Sequence, residues 1–191
     1  ERKGLLSFGL LLTLWAASSG LTSVMQQLNV TYDVKDARPW WKIRGVALLL
    51  TLMLTLLVVG AFSLIVFGGF AQDWVASHFG WSDALRFAFS ALRWVIIVAM
   101  LLMGFAVTYY FGPDVEQKFR FITPGSVLGT ILLVAASLGF RFYVANFGKY
   151  NATYGSLGAG IVLLLWLYIA GWVLLIGSEI NALGEHYSSD G

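Results

Sequence analysis

The stretch "GVALLLTLMLTLLVVGAFSLIVFGGFA", residues 45–71, runs for 27 residues without a single charge. Coiled into an α-helix it would be about 40 Å long, against roughly 30 Å for the hydrocarbon core of a bilayer. Such a span must tilt, kink or protrude, and Gly60 with the pair Gly68 and Gly69 are the candidate bends. The stretch lacks the ten-residue alternation of a membrane β-strand. A helix is the other way to pair every backbone group in lipid.

Four more windows repeat the pattern: Gly4 to Tyr32, Trp94 to Pro113, Phe121 to Phe140 and Tyr150 to Ser178 carry no charge. Across all 191 residues 59% are hydrophobic and 12% charged, with mean hydropathy +0.79. A soluble domain carries about 25% charged residues. The expected fold is all-α: a polytopic transmembrane helical bundle forming a single domain over 1–191. Its five spans are expected at about 5–28, 45–70, 94–111, 124–144 and 157–182. No cysteine is present, which excludes disulfides, thiol catalysis and Cys-based metal sites, and the net charge of +2 says little about partners. The chain opens "ERKG" without Met or a signal-peptide pattern, so a further segment is expected upstream.

The first window is the most polar, with Ser7, Thr13, Ser18, Ser19, Thr22 and Ser23 followed by Gln26, Gln27 and Asn29. Small and hydroxylated residues suit a helix inside the bundle. The alternative is an ordinary helix whose hydroxyls bond back to its own carbonyls. In "YDVKDARPWWKIRG" Trp40 and Trp41 suit the headgroup level. From Ser82, a candidate N-cap, Leu85, Phe89 and Leu92 share one helical face and Arg86, Ser90 and Arg93 another, which predicts an outer amphipathic interfacial helix before the third span. Thr123 and Pro124 read as N-cap and first helical residue of the fourth span.

Lys35, Arg38, Lys42, Arg44, Lys118 and Arg120 fall at one set of span ends, and Arg86, Arg93 and Lys149 at the other. Six against three places the first set, and the C-terminus, in the cytoplasm. Arg141 lies about 26 Å along the fourth span, at its outer end, and Glu179 about 33 Å along the fifth, at the cytoplasmic end. In straight antiparallel helices they cannot pair. Arg141 is either a cation snorkelling to the outer headgroups or the cation of a cavity mouth near Asn146, Lys149, Tyr150, Asn151 and Tyr154. Glu179, beside Asn181, is either an interfacial anchor or a proton-coupling carboxylate.

Chemistry-bearing constellations are missing. His78 and His186 lie outside the spans with no second ligand at helical spacing, so no metal or other cofactor is expected. The glycines of "YGSLGAGIV" lack the Lys of a phosphate-binding loop, and close helix packing explains them better. "NVT" (29–31) and "NAT" (151–153) match the glycosylation sequon only by spelling. An enzyme is not expected.

The stretches "YVANFGKYNATYGSLGAGIVLLLWLYIAGWVLLIGSEINA" (143–182), "LWAASSG" (14–20), "YDVKDARPWWKIR" (32–44) and "ITPG" (122–125) resemble the YihY/BrkB family of bacterial inner-membrane proteins. The likeness covers nearly the whole chain. Gly160, Ser178 and Ile180 depart from it mildly, standing where bulkier, Ala-like and Leu-like residues are expected. The resemblance implies a bacterial inner-membrane location and six spans, the first lying upstream of Gly4. It also implies that a former label, ribonuclease BN, is mistaken. Some members are linked to serum resistance, and one has been proposed to help export a lipopolysaccharide precursor. The family supplies no catalytic or binding residues to carry over.

The leading expectation is a transporter or flippase-like exporter of an amphipathic, anionic envelope substrate. Its path would involve Arg141, Asn146, Lys149, Tyr150, Asn151, Tyr154, Glu179 and Asn181, with Arg86 and Arg93 in an outer cationic ring. Expected partners are membrane lipids, an anionic glycolipid or phospholipid among them, and a second copy of the chain, but no nucleic acid. A non-transporting scaffold for envelope assembly is the alternative from another class, and a hydrolase is the least favoured.

Overall fold

The computed structural model describes residues 2–80, 82–147 and 156–189, with the side chains of 2, 3, 79, 146, 147, 156, 157 and 185–189 outside that description. Its five helices are α1 (Arg2–Thr31), α2 (Trp40–Phe79), α3 (Asp83–Phe111), α4 (Pro124–Phe147) and α5 (Ser156–Ser189). Each is long and apolar enough to cross a membrane, as the uncharged windows predict.

Capping chemistry explains several helix ends. Ser82, in extended backbone, accepts the Leu85 N–H at the start of α3 at 3.5 Å, and Asp83 complements the first turn. At the start of α4, Thr123 Oγ1 accepts the Ser126 N–H (3.1 Å) and Ser126 Oγ accepts the Thr123 N–H (2.9 Å). This is a reciprocal capping box in which serine replaces the usual Glu or Gln, and Pro124 follows the cap where its missing N–H costs nothing. Gly80 ends α2 with φ of 60°, a left-handed turn that only glycine makes without strain, and its N–H donates to the Ala76 carbonyl.

Two expectations are corrected. The amphipathic segment 82–93 is not a separate interfacial helix, because α3 runs unbroken from Asp83 to Phe111. No proline or glycine interrupts it before Gly104, so the backbone has no reason to stop where the charges do. The second span is also longer than the expected 45–70: α2 runs unbroken through its glycines to Phe79 as a helix of 40 residues, about 60 Å long. Glycine costs only about 1 kcal/mol in a helix, and these glycines face α3. A Cβ at Gly60 would lie 3.1 Å from Met100, and one at Gly68 would lie 2.5 Å from Arg93 Cδ. Core and headgroups together span about 45 Å, so α2 leans by roughly 40° or projects.

The first half of α1 is also not inside the bundle. Its side chains are exposed up to Leu12, with Leu5 at 73%, and burial begins at Ser18. The polar residues follow the self-bonded alternative: Thr13 donates to Gly9 O, Ser18 and Ser19 to Trp15 O, and Thr22 to Ser18 O.

Successive helices pack on one another and α5 also touches α1, which closes a ring. The core sits at the end of this ring that carries Lys35, Arg38, Lys42, Lys118 and Arg120, called here the basic end. One cluster joins Met25 of α1, Ala47 and Leu50 of α2 and Val107 of α3. The other joins Leu28, Phe105, Tyr109 and Val173 of α1, α3 and α5. Toward the far end the buried apolar side chains thin out to Ala61, Ala76 and Ile97.

Lipid tails are as apolar as leucine, so helix association here depends on close contact rather than on escape from water. Backbone meets backbone between α4 and α5. A Cβ on Gly125 would collide with the Gly177 carbonyl, and one on Gly177 would collide with the Tyr109 hydroxyl. One turn on, a Cβ on Gly129 would come within 2.9 Å of the Phe105 ring. The Gly125 N–H, one of the donors a helix start leaves unpaired, is taken by Asn181 Oδ1 at 2.7 Å.

Candidate functional site

The connection between α1 and α2 folds back on the end of α3 through ionic contacts. Arg38 forks onto Asp36, Nε to Oδ1 at 2.8 Å and Nη2 to Oδ2 at 2.7 Å, and lies 3.6 Å from Asp114. Its Nη1 and Nη2 also donate to the carbonyls of Phe111 (3.3 Å) and Gly112 (2.9 Å), which the end of α3 leaves unpaired. Asn29, at the end of α1, donates to Asp36 (2.9 Å) and accepts the Asp114 N–H (2.7 Å), and Asp114 accepts the Ala37 N–H (2.9 Å). Arg38 keeps 8% of its side chain exposed, Asp36 16% and Asp114 27%. The fork from Arg38 holds the Asp36 carboxyl below its ordinary 3.8, and Asp36 in turn raises the Arg38 guanidinium. Every polar atom has a job in holding three helix ends together, so this network is a clasp rather than an open site.

Beside the clasp is a polar cavity of about 450 Å³. Ala106, Tyr109 and Tyr110 of α3 line its inner side, Gln117, Lys118 and Arg120 of the α3–α4 connection its rim, and Ile180 and Asn181 of α5 its far wall. Gln117 donates to the Tyr109 carbonyl at 2.6 Å, which pins the connection across the end of α3.

Midway along the helices lies a second, apolar pocket of about 310 Å³. Leu57 and Ala61 of α2, Met100 and Gly104 of α3, and Leu167 and Ala170 of α5 are among its walls. Thr108 also lines it, but its hydroxyl is spent on the Gly104 carbonyl at 2.7 Å. A pocket of this lining accepts a hydrocarbon chain and offers nothing to a charge. Tyr109 stands between the two: it lines the polar cavity, while its hydroxyl donates at 2.9 Å to the carbonyl of Leu174, which lines the apolar one.

Of the residues singled out by sequence, Asn181 lines the polar cavity and holds the start of α4. Glu179 and Arg141 are exposed, on α5 and α4. Gly125 meets Gly177 at the basic end, so the antiparallel pair keeps Arg141 far from Glu179. Arg86 is exposed and its carbonyl accepts from Gln72 at 3.0 Å, whereas Arg93 lays its side chain over Gly68 of α2. Lys149, Tyr150, Asn151, Tyr154 and the side chain of Asn146 lie outside the described residues. Among the described residues no group of three or more His, Cys, Asp or Glu could hold a metal ion.

The sequence reading counted Asp36, Arg38, Lys118 and Arg120 only as loop charges. The signal for the glycine contact was present in "GSVLG" (125–129), small residues four apart on one face of α4.

The family model of virulence factor BrkB matches residues 1–191. The "Putative ribonuclease-like protein YfkH" of Bacillus subtilis (strain 168) is 38% identical over 180 residues, covering 94% of this chain and 66% of that protein. A "UPF0761 membrane protein" of Tolumonas auensis is 27% identical over 185 residues, 94% of this chain and 58% of that one. Another, from Xanthomonas campestris pv. campestris, is 29% identical over 167 residues, 84% of this chain and 36% of that one. The chain thus spans between about a third and two thirds of the length of these relatives. No solved structure matches it. With its five apolar helices and a family match from end to end, the chain is a membrane protein that belongs to the virulence factor BrkB family.

Proposed function

We propose that this chain is part of a transporter or flippase-like exporter that moves an amphipathic, anionic envelope lipid out of the bacterial inner membrane. The basic end and the C-terminus face the cytoplasm, in keeping with the excess of Lys and Arg there. The observation that carries the reading is the succession of two unlike cavities along α3. A polar one at the basic end is followed, past Tyr109, by an apolar one midway along the helices, which this reading takes as headgroup level and mid-depth. That order matches the head and the chain of a lipid. Cleavage of a substrate plays no part in this reading.

The test is transbilayer movement of a fluorescent phospholipid in proteoliposomes. Ala170→Trp fills the apolar pocket and is expected to slow movement by roughly tenfold, about 1.4 kcal/mol on the barrier. Leu164→Trp, on an exposed position of the same helix, should leave the rate unchanged. Movement no faster than in protein-free liposomes would overturn the proposal.

A scaffold for envelope assembly is favoured by one different observation. The first half of α1 exposes Leu5, Leu6, Phe8, Leu10, Leu11 and Leu12, which cover every face of the helix and give another membrane helix a docking rail. Gentle extraction that returns no stoichiometric partner would count against it.

A further inference from the structure

We infer that the polar cavity at the basic end is a binding site for the phosphate of an anionic phospholipid headgroup. The cations of this end divide into two kinds. Arg38 is consumed by Asp36 and Asp114, and Arg44 by the Trp15 ring (3.7 Å), the Trp15 carbonyl and Ser19. Lys118 and Arg120 carry no ion pair or hydrogen bond among the described residues, and both line the cavity. They sit two apart in the irregular connection between α3 and α4. Phe119 between them turns instead onto Tyr110, edge to face at 5.3 Å.

Glu116 is the one carboxylate among the cavity's lining residues, so two cations outnumber it and the cavity favours an anion. Arg120 adds a planar fork that matches a phosphate's oxygens, and Lys118 a mobile point charge. The Asn181 side chain accepts from Gly125 through its carbonyl oxygen, which leaves its amide N–H groups to donate. Depth selects a lipid over a soluble anion. The cavity lies where α3 ends at Phe111, and its apolar lining residues Ala106 and Ile180 belong to the helices that cross the membrane. The inference builds on the export reading by naming the group that the cytoplasmic mouth holds, and binding is measurable apart from movement.

The experiment is native mass spectrometry of the full chain released from nanodiscs containing phosphatidylglycerol or phosphatidylcholine. Lys118→Gln/Arg120→Gln is compared with Lys35→Gln/Lys42→Gln, a pair of equal charge at the same end that does not line this cavity. All four side chains are exposed, and thermal melts of both variants serve as the check on folding. The first pair is expected to weaken retention of phosphatidylglycerol by roughly tenfold and the second by less than twofold, with phosphatidylcholine indifferent to either. Equal losses in both pairs would assign the effect to general surface potential and overturn the site. So would competition by millimolar inorganic phosphate as strong as that of the lipid, which would make it a pocket for a free ion. Loss of lipid movement with selective binding intact would sink the export reading and leave this site standing. The reverse outcome would sink the site alone.

Discussion

Gly125→Ala is expected to destabilise the bundle by about 3 kcal/mol, although the same substitution elsewhere in a helix stabilises by up to about 1 kcal/mol. The new methyl group would occupy the space of the Gly177 carbonyl, which is backbone and cannot rotate away, and would press on Asn181 as well. Relief requires α4 and α5 to separate. Separation removes the Asn181 bond to the Gly125 N–H and draws Gly177 off the Tyr109 hydroxyl. Gly139→Ala, farther along α4 with no neighbouring atom within 4 Å of the added carbon, is the control and should be neutral or mildly stabilising. Opposite signs of the two melting shifts in one detergent are the expected result. Equal shifts would mean that the two backbones do not touch.

Arg38→Gln should cost nearly as much, about 3 kcal/mol. Removing one partner of a buried pair typically costs 3–5 kcal/mol, and the part-exposed Asp36 carboxylate, which water can still reach, holds the value at the low end. The substitution leaves the carbonyls of Phe111 and Gly112 with a weaker donor as well. Asp36→Asn/Arg38→Gln should recover part of the loss, since the stranded charge is gone, and the four variants of this cycle measure the coupling. The pair also has a pH signature. Because the folded carboxyl of Asp36 titrates below its ordinary 3.8, its contribution is complete above that value and is lost as pH falls through the lower, folded one. Stability between pH 5 and 8 should therefore be flat with respect to this pair. A decline confined to pH below about 4, absent in Asp36→Asn, is the expected result of pH-dependent melting, and a wild-type curve that overlays the variant would refute it.

How much of this was legible in the sequence differs between helices and sites. The number of spans was, because hydrocarbon excludes charge and each uncharged window marks one crossing. Helix ends were legible where a side chain caps them, at Ser82 and at Thr123 with Pro124. They were not legible at Trp40 or Phe79, because the absence of charge locates the membrane and not the last helical turn. The candidate site was read from polarity in residues 145–160 and from Arg141 and Glu179. Asn181, singled out beside Glu179, does line the polar cavity, but the rest of the two linings arises from distances across the ring that no local motif records. Nothing in "KDAR" says that Arg38 reaches carbonyls more than seventy residues away, or that Lys118 and Arg120 are the cations lining the polar cavity. The resemblance to the YihY/BrkB family, by contrast, was carried by local motifs and is matched by the family model over the whole chain.

The buried side chains gather at one end of the ring and thin out at the other. A bundle fastened at one end and loosely packed at the other parts first where the fewest side chains must separate. Among the described residues, amide exchange along α2 and α3 is therefore expected to quicken with distance from the basic end.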